Sequence, residues 1–169
     1  MNNAIFLDRD GVIIKDKLYV HKYKDIVWLK GVFEGIKYAK EISYLIIVVT
    51  NQSGIGRRIF KTSDMKELHK KMNKKIFSKT GFKIDKFYYC PFHPIYGVGN
   101  YKKRSFDRKP NPGMLIKAIK KYKINKKKSF MIGDQVTDKL AAKKANISFF
   151  YRSNKSLRSQ LKEIINKIN

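Results

Sequence analysis

Asp8 and Asp10, two residues apart and followed at once by Gly11, are the first residues in the chain whose types and spacing could do chemistry. They stand directly behind Ala4-Ile5-Phe6-Leu7, a short apolar run without helical spacing that reads as a buried strand. Two carboxylates at the end of a buried strand are expensive to desolvate unless a cation or a reaction requires them. The carboxyl ends of parallel strands are also where open α/β sheets hold their ligands. Taken alone, Asp-x-Asp-Gly reads equally well as a turn whose side chains bond their own backbone.

Three further stretches shift that balance. Thr50-Asn51-Gln52-Ser53-Gly54-Ile55-Gly56-Arg57 offers small hydroxyl and amide side chains with two glycines, an anion cradle in this setting and an ordinary loop in any other. Lys109, in Arg108-Lys109-Pro110-Asn111-Pro112-Gly113, stands where a helix begins and an ammonium can meet an anion. In a chain so rich in lysine, one would also fall there by chance. Asp134 and Asp138 follow Ser129-Phe130-Met131-Ile132-Gly133, and capping the helix 139–145 is the plain structural role of Asp138. Together these residues make the inventory of a phosphoryl-transfer site: carboxylates for Mg²⁺, a Thr and a Lys for phosphate oxygens, and an Asp nucleophile.

The elements that must position them alternate between strand and helix. Tyr44 to Thr50 is β-branched and apolar on both faces, as a central parallel strand is. Asp85–Tyr89, Ser129–Ile132 and Ile147–Tyr151 read as further strands. Helices are expected from Gly31 (Val32, Phe33, Ile36, Ala39), from a capping Asp64 (Met65, Leu68, Met72, Ile76), after Pro112, and from Ser153 or Asn154 (Leu157, Leu161, Ile164, Ile168). His69 falls inside the second of these and reads as a surface or satisfied helix residue rather than a ligand. Residues 12–30 read as a loop with short extended pieces near the site. The pattern predicts a three-layer, doubly wound, mainly parallel α/β sheet, with residues 1–169 as a single domain. The segments between motifs are filled by core elements, which leaves no room for a large cap domain. An open site follows, with specificity resting on loops 12–25, 53–60 and 91–108.

A net charge of +26, mostly lysine, is compatible with nucleic acid, anionic membrane or phosphorylated substrates as partners. The lysines are spread along the whole chain, which argues for a solvated surface rather than a nucleic-acid groove. No apolar run has the length of a membrane span, and the first strand starts too early for a signal peptide. One cysteine, Cys90, excludes an internal disulfide and fits a cytoplasmic location. A monomer is expected.

The order DxD, Thr, Lys, GDxxxD resembles the motif set of the haloacid dehalogenase (HAD) superfamily of phosphatases. FLDRDGVI, YVHKYKD, VVTNQSGIGR, YYCPFHP, RKPNPGM and IGDQVTD resemble more closely its heptose-1,7-bisphosphate 7-phosphatases and their siblings, the histidinol-phosphatase domains. That resemblance runs from about Ile5 to Phe150. It implies that Asp8 attacks phosphorus and forms an aspartyl-phosphate, while Asp10 protonates the leaving oxygen and then activates water. It implies that Thr50 and Lys109 neutralise the phosphoryl group, and that Asn51, Gln52, Ser53, Arg57 and Arg108 contact substrate. Mg²⁺ would be held by Asp8, Asp134 and the backbone carbonyl of Asp10. The implied substrate is a small phosphorylated sugar used in nucleotide-heptose synthesis for lipopolysaccharide or capsule. Histidinol phosphate is the first alternative, and a DNA 3′-phosphate the second, given the basic charge.

The departures from the pattern are also informative. Members of the family often bind structural Zn²⁺ through Cys and His at CPHHP and CxCRKP. Here Phe92 replaces the His, and Ser105 and Asp107 replace the two Cys, so no structural Zn²⁺ is expected. The lone Cys90 and His93 read as structural. Apolar packing of some of Phe92, Pro94, Tyr96, Tyr101 and Phe106 is expected to hold the loop instead, with Phe92 filling the space of the missing His. Gln135 stands where a Lys is common after GD, removing one positive charge near the substrate.

Overall fold

The computed structural model describes residues 1–168. Five strands form one parallel sheet in the order β3-β2-β1-β4-β5: β1 (Ala4–Leu7), β2 (Leu45–Asn51), β3 (Lys86–Cys90), β4 (Phe130–Gly133) and β5 (Ser148–Tyr151). Between and after them run α1 (Val32–Glu41), α2 (Ser53–Gly56), α3 (Thr62–Thr80), α4 (Gly113–Tyr122), α5 (Val136–Ala145) and α6 (Leu157–Ile168).

The strands alternate their side chains between two apolar layers, which is why their sequences are apolar throughout. Ile5, Leu7, Ile46, Val48, Phe130 and Ile132 face α1, α3 and α6, where they meet Val32, Ile36, Leu68, Met72, Leu157 and Leu161. Ala4, Phe6, Ile47, Val49 and Met131 face α4 and α5, against Met114, Leu115, Ala118, Ala141 and Ala142. This is the three-layer arrangement that the alternation predicts.

Helix starts differ from the sequence reading by a few residues, in two helices for the same reason. α3 begins at Thr62, and Asp64 sits in its first turn, reaching back to accept the Lys61 amide at 2.8 Å. α5 begins at Val136, and Asp138 reaches back in the same way to the Gln135 amide at 3.1 Å. In both the acid is the far member of a capping box rather than the cap itself. α6 begins at Leu157, where Ser156 Oγ accepts the Ser159 amide at 3.1 Å. Val12, Ile13 and Ile14 are fully buried beneath the 12–30 segment, and Ile14 bridges to both Asp10 and Trp28. Among the described residues, no helix is long and apolar enough to cross a membrane.

Candidate active site

β1 and β4 are neighbours and β2 flanks β1 on its other side, so the chain leaves β1 in the crevice where the sheet changes direction of winding. Asp8 directly follows β1, Thr50 is the last residue but one of β2, and Asp134 directly follows β4. These three, with Asp10, Asn51, Gln52, Ser53, Lys109, Gln135 and Asp138, line one cavity of about 230 Å³. Gly11 takes φ +79, and a Cβ there would strike the Asp134 carboxylate, so the absent side chain lets the two loops close on each other.

Lys109 is the hub. Its side chain is only 3% exposed, and its Nζ lies 3.0 Å from Asp8 Oδ1 and 2.6 Å from Asp138 Oδ1, and donates to the Val49 carbonyl at 2.9 Å. Burial alone would lower the pKa of this ammonium, but the two carboxylates outweigh it and the net shift is upward. Asp8 is raised to about 7: burial dominates, Lys109 opposes it, and the nearby Asp138 and Asp10 carboxylates add to it. Asp8 Oδ1 also accepts the Arg9 amide at 2.7 Å.

Asp10 is held by donors alone. Arg9 grips it with Nε on Oδ2 at 3.0 Å and Nη2 on Oδ1 at 3.2 Å, and Gln52 Nε2 donates to Oδ2 at 3.2 Å. The same Gln52 nitrogen donates to Thr50 Oγ1 at 2.8 Å, tying the end of β2 to the loop after β1. Arg9 itself is 1% exposed and spends its other contacts on the Val20 carbonyl and on His69 Nε2. His69, buried on α3 and stacked on Phe87, has its pKa lowered to about 3, first by burial and then by Arg9, and is therefore neutral. The expectation of a satisfied helix histidine holds.

The acidic groups fit a divalent cation. Asp8, Asp134 and Asp138 each offer an oxygen within 4.8 Å of the others. Asp134 Oδ1 is buried without a hydrogen-bond partner, a costly arrangement that a cation relieves. Burial also pushes the Asp134 pKa up, against a hydrogen bond from Gln135. Asp138 Oδ1 stands 2.6 Å from the Lys109 ammonium and its Oδ2 accepts the Asp134 and Gln135 amides, so this third carboxylate is tied to the protein on both oxygens while remaining within reach of the same ion.

Arg57 and Arg108 do not line this cavity. The Arg57 guanidinium donates to Tyr19 Oη and lies 4.4 Å from the centroid of the Tyr96 ring; Arg108 Nη1 donates to the Phe92 carbonyl at 3.1 Å. Asn51 has a task that the sequence does not reveal. Its Oδ1 accepts the Lys109 amide at 3.1 Å and its Nδ2 donates to the Lys109 carbonyl at 3.0 Å. The mouth is formed by Asp16, Leu18 and Tyr19, and the last two take left-handed backbone angles of φ 56 and 54.

The segment after β3 follows the apolar expectation only in part. Phe92 is half-buried against the α4 side of the sheet, with its ring 5.9 Å from that of Tyr101. Tyr96 and Phe106 are exposed, at 56% and 61%; the Tyr96 ring meets the Arg57 guanidinium, and the Phe106 carbonyl accepts the Gly113 amide. Cys90 is fully buried, and burial pushes its thiol upward against hydrogen bonds from the Phe92 amide and the Ser105 side chain.

Residues 3–162 match the family model described as polynucleotide kinase 3 phosphatase. A D-glycero-alpha-D-manno-heptose-1,7-bisphosphate 7-phosphatase from Burkholderia mallei is 44% identical over 146 residues, 86% of this chain and 77% of that protein. The beta-anomer enzyme of Helicobacter pylori is 38% identical over 86% of this chain and 80% of its own. Among solved structures, D,D-heptose 1,7-bisphosphate phosphatase from B. bronchiseptica, complexed with magnesium and phosphate, superposes with a TM-score of 0.84 at 24% identity, covering 98% of this chain and 99% of that one. The chain belongs to the polynucleotide kinase 3 phosphatase family of HAD phosphatases, in the company of the heptose-1,7-bisphosphate 7-phosphatases.

Proposed function

We propose that this protein is a Mg²⁺-dependent phosphatase that removes the 7-phosphate of D-glycero-D-manno-heptose 1,7-bisphosphate through an aspartyl-phosphate on Asp8, with residues 1–169 acting as one unit. The observation that carries the reading is the convergence of Asp8, Asp10, Thr50, Lys109 and Asp134 on one cavity at the ends of three neighbouring strands. The named heptose-bisphosphate relatives supply the substrate class.

Asp8, Asp134 and the carbonyl of Asp10 would hold the cation, which when bound would neutralise phosphoryl oxygens and favour the ionised form of Asp8. Lys109 and Thr50 add positive charge and a hydroxyl donor on the same group. An Asp8 carboxylate oxygen forms a bond to phosphorus as the bond from phosphorus to the sugar oxygen breaks, and Asp10 gives that oxygen its proton. Asp10 then takes a proton from water, whose oxygen attacks phosphorus and frees Asp8 with release of phosphate. Gln52 and Ser53 meet the substrate inside the cavity, while Arg57 and Arg108 act from its outer margin. No structural Zn²⁺ takes part, because Phe92, Ser105 and Asp107 lack the needed thiolate and imidazole donors.

The test is phosphate release from a panel: α- and β-heptose 1,7-bisphosphate, fructose 1,6-bisphosphate, histidinol phosphate and a 3′-phosphorylated oligonucleotide. The highest kcat/KM is expected for a heptose bisphosphate. Preference for the oligonucleotide, the substrate that the family model's description suggests, would replace the sugar reading.

A further inference from the structure

We propose that His69, on α3, is a positioning residue for Asp10 and acts through Arg9. The inference rests on the acid–base reading of Asp10 given above. Arg9 lies between two carboxylates that need different tasks, and its side chain is buried at 1% exposure beside the cavity. Its plane is set by three separate elements: the Asp10 carboxylate, the Val20 carbonyl at 2.9 Å, and His69 Nε2 at 3.2 Å.

His69 can serve as the third support because it is itself fixed. Its ring stacks on Phe87 of β3 with centroids 4.3 Å apart and planes 15° from parallel. An arginine N–H can only donate, so the bond requires an unprotonated Nε2, and hence the tautomer with hydrogen on Nδ1. The strong downward shift of the His69 pKa agrees with a permanently neutral ring. Without this acceptor, Nη1 of a buried arginine loses its partner, and the side chain can find a substitute only by rotating. Rotation moves Nε and Nη2 together, since the guanidinium is rigid, and the bidentate grip on Asp10 moves with them. Asp10 must reach a leaving oxygen in one half-reaction and a water in the next, and displacements of a fraction of an ångström are costly in such a role.

The experiment uses the full chain with Mg²⁺ and heptose 1,7-bisphosphate, comparing His69→Leu with His69→Gln. Leucine fills the space without an acceptor, whereas glutamine places a carbonyl oxygen near the site of Nε2. His69→Leu should lower kcat by on the order of ten- to a hundred-fold with KM changed little. His69→Gln should restore most of it. Equal rates for the two variants, or wild-type kcat in His69→Leu, overturn the proposal. ¹⁵N NMR of the wild-type protein at pH 7 gives a reading independent of turnover and of the folding of either variant. An unprotonated Nε2 is expected, and an Nε2–H or imidazolium signal overturns the proposal. Asp10→Asn separates the two layers of argument: an active Asp10→Asn protein removes the acid–base reading and this inference with it. An inactive one beside a fully active His69→Leu removes the inference alone.

Discussion

Asn51 clamps the backbone of Lys109 from both sides, accepting its amide at 3.1 Å and donating to its carbonyl at 3.0 Å across 58 positions of sequence. The amide of Asn51 is thereby committed, and the ammonium of Lys109 is aimed between Asp8 and Asp138. Asn51→Ala removes both bonds and frees the loop to shift. We expect kcat/KM to fall on the order of ten- to a hundred-fold, with the far-ultraviolet circular dichroism unchanged. A wild-type kcat/KM in Asn51→Ala would show that other contacts hold Lys109.

Asp8→Asn should abolish turnover in a folded protein, since an amide is a poor nucleophile and a weaker ligand for a cation. Asp10→Asn should slow turnover on the order of 10²–10⁴-fold through loss of proton transfer. Quenched reactions with ³²P-labelled substrate should trap radioactivity on the wild-type chain and none on Asp8→Asn. Asp8→Asn retaining activity within about tenfold of wild type would rule out a covalent route.

Chelation should remove activity and Mg²⁺ should restore it, because Asp134 Oδ1 and the ring of carboxylates around it are arranged for a cation. Elemental analysis of the purified protein should find no stoichiometric zinc. Tightly bound zinc, or full activity in EDTA, would contradict the assignment.

His69 makes stability depend on pH. Its folded pKa of about 3 lies below the ordinary value of 6.5, so between those limits the unfolded chain binds the extra proton. Stability from this group is therefore complete above pH 6.5 and is lost as pH falls, at up to about 1.4 kcal/mol per pH unit. Arg9 is the charged group that faces the ring and adds to the effect. His69→Gln has no such titration. The difference in unfolding free energy between wild type and His69→Gln should therefore move against wild type from pH 7.5 to 5. A difference independent of pH would refute the neutral buried histidine.

Phe92→Ala should loosen the segment that carries Arg108 and Lys109. Phe92 is half-buried, so the cost should be about 2 kcal/mol, below that of a fully buried Phe. Thermal unfolding and kcat/KM should both fall. An unchanged Tm with unchanged kcat/KM would show that the ring does not hold the segment.

The parts legible in the sequence were those set by local pattern. Runs such as Tyr44–Val49 declare a strand buried on both faces, and the carboxylates at the strand ends declare residues that line one shared cavity. Arg9 was not legible, because an arginine between two aspartates has the look of a surface charge and its partner His69 lies 60 positions away. The double bond of Asn51 to Lys109 is equally a product of tertiary folding, which brings β2 and the 108–112 turn together. Helix starts shifted because Asp64 and Asp138 reach back as capping-box partners, a role that composition does not distinguish from the cap itself. In the 91–108 segment, aromatic content predicted burial, yet Tyr96 and Phe106 point outward and Phe92 and Tyr101 inward.

Leu18 and Tyr19 stand at the cavity mouth on left-handed backbone, and Leu18 is 76% exposed. The bonds that hold Asp8, Asp10 and Lys109 in place run through Gln52, Asn51, Asp138 and Arg9, and neither Leu18 nor Tyr19 is among them. The 12–20 segment reaches Arg9 through backbone groups, the Val20 carbonyl and the Ile13 and Ile14 amides, and such groups are present whatever side chain stands at position 18. Leu18 can therefore be exchanged without disturbing the reacting groups. Selection for a different phosphate ester can act on the rim while the chemistry is inherited intact, so a library randomised at Leu18 should yield altered preference far more often than lost catalysis.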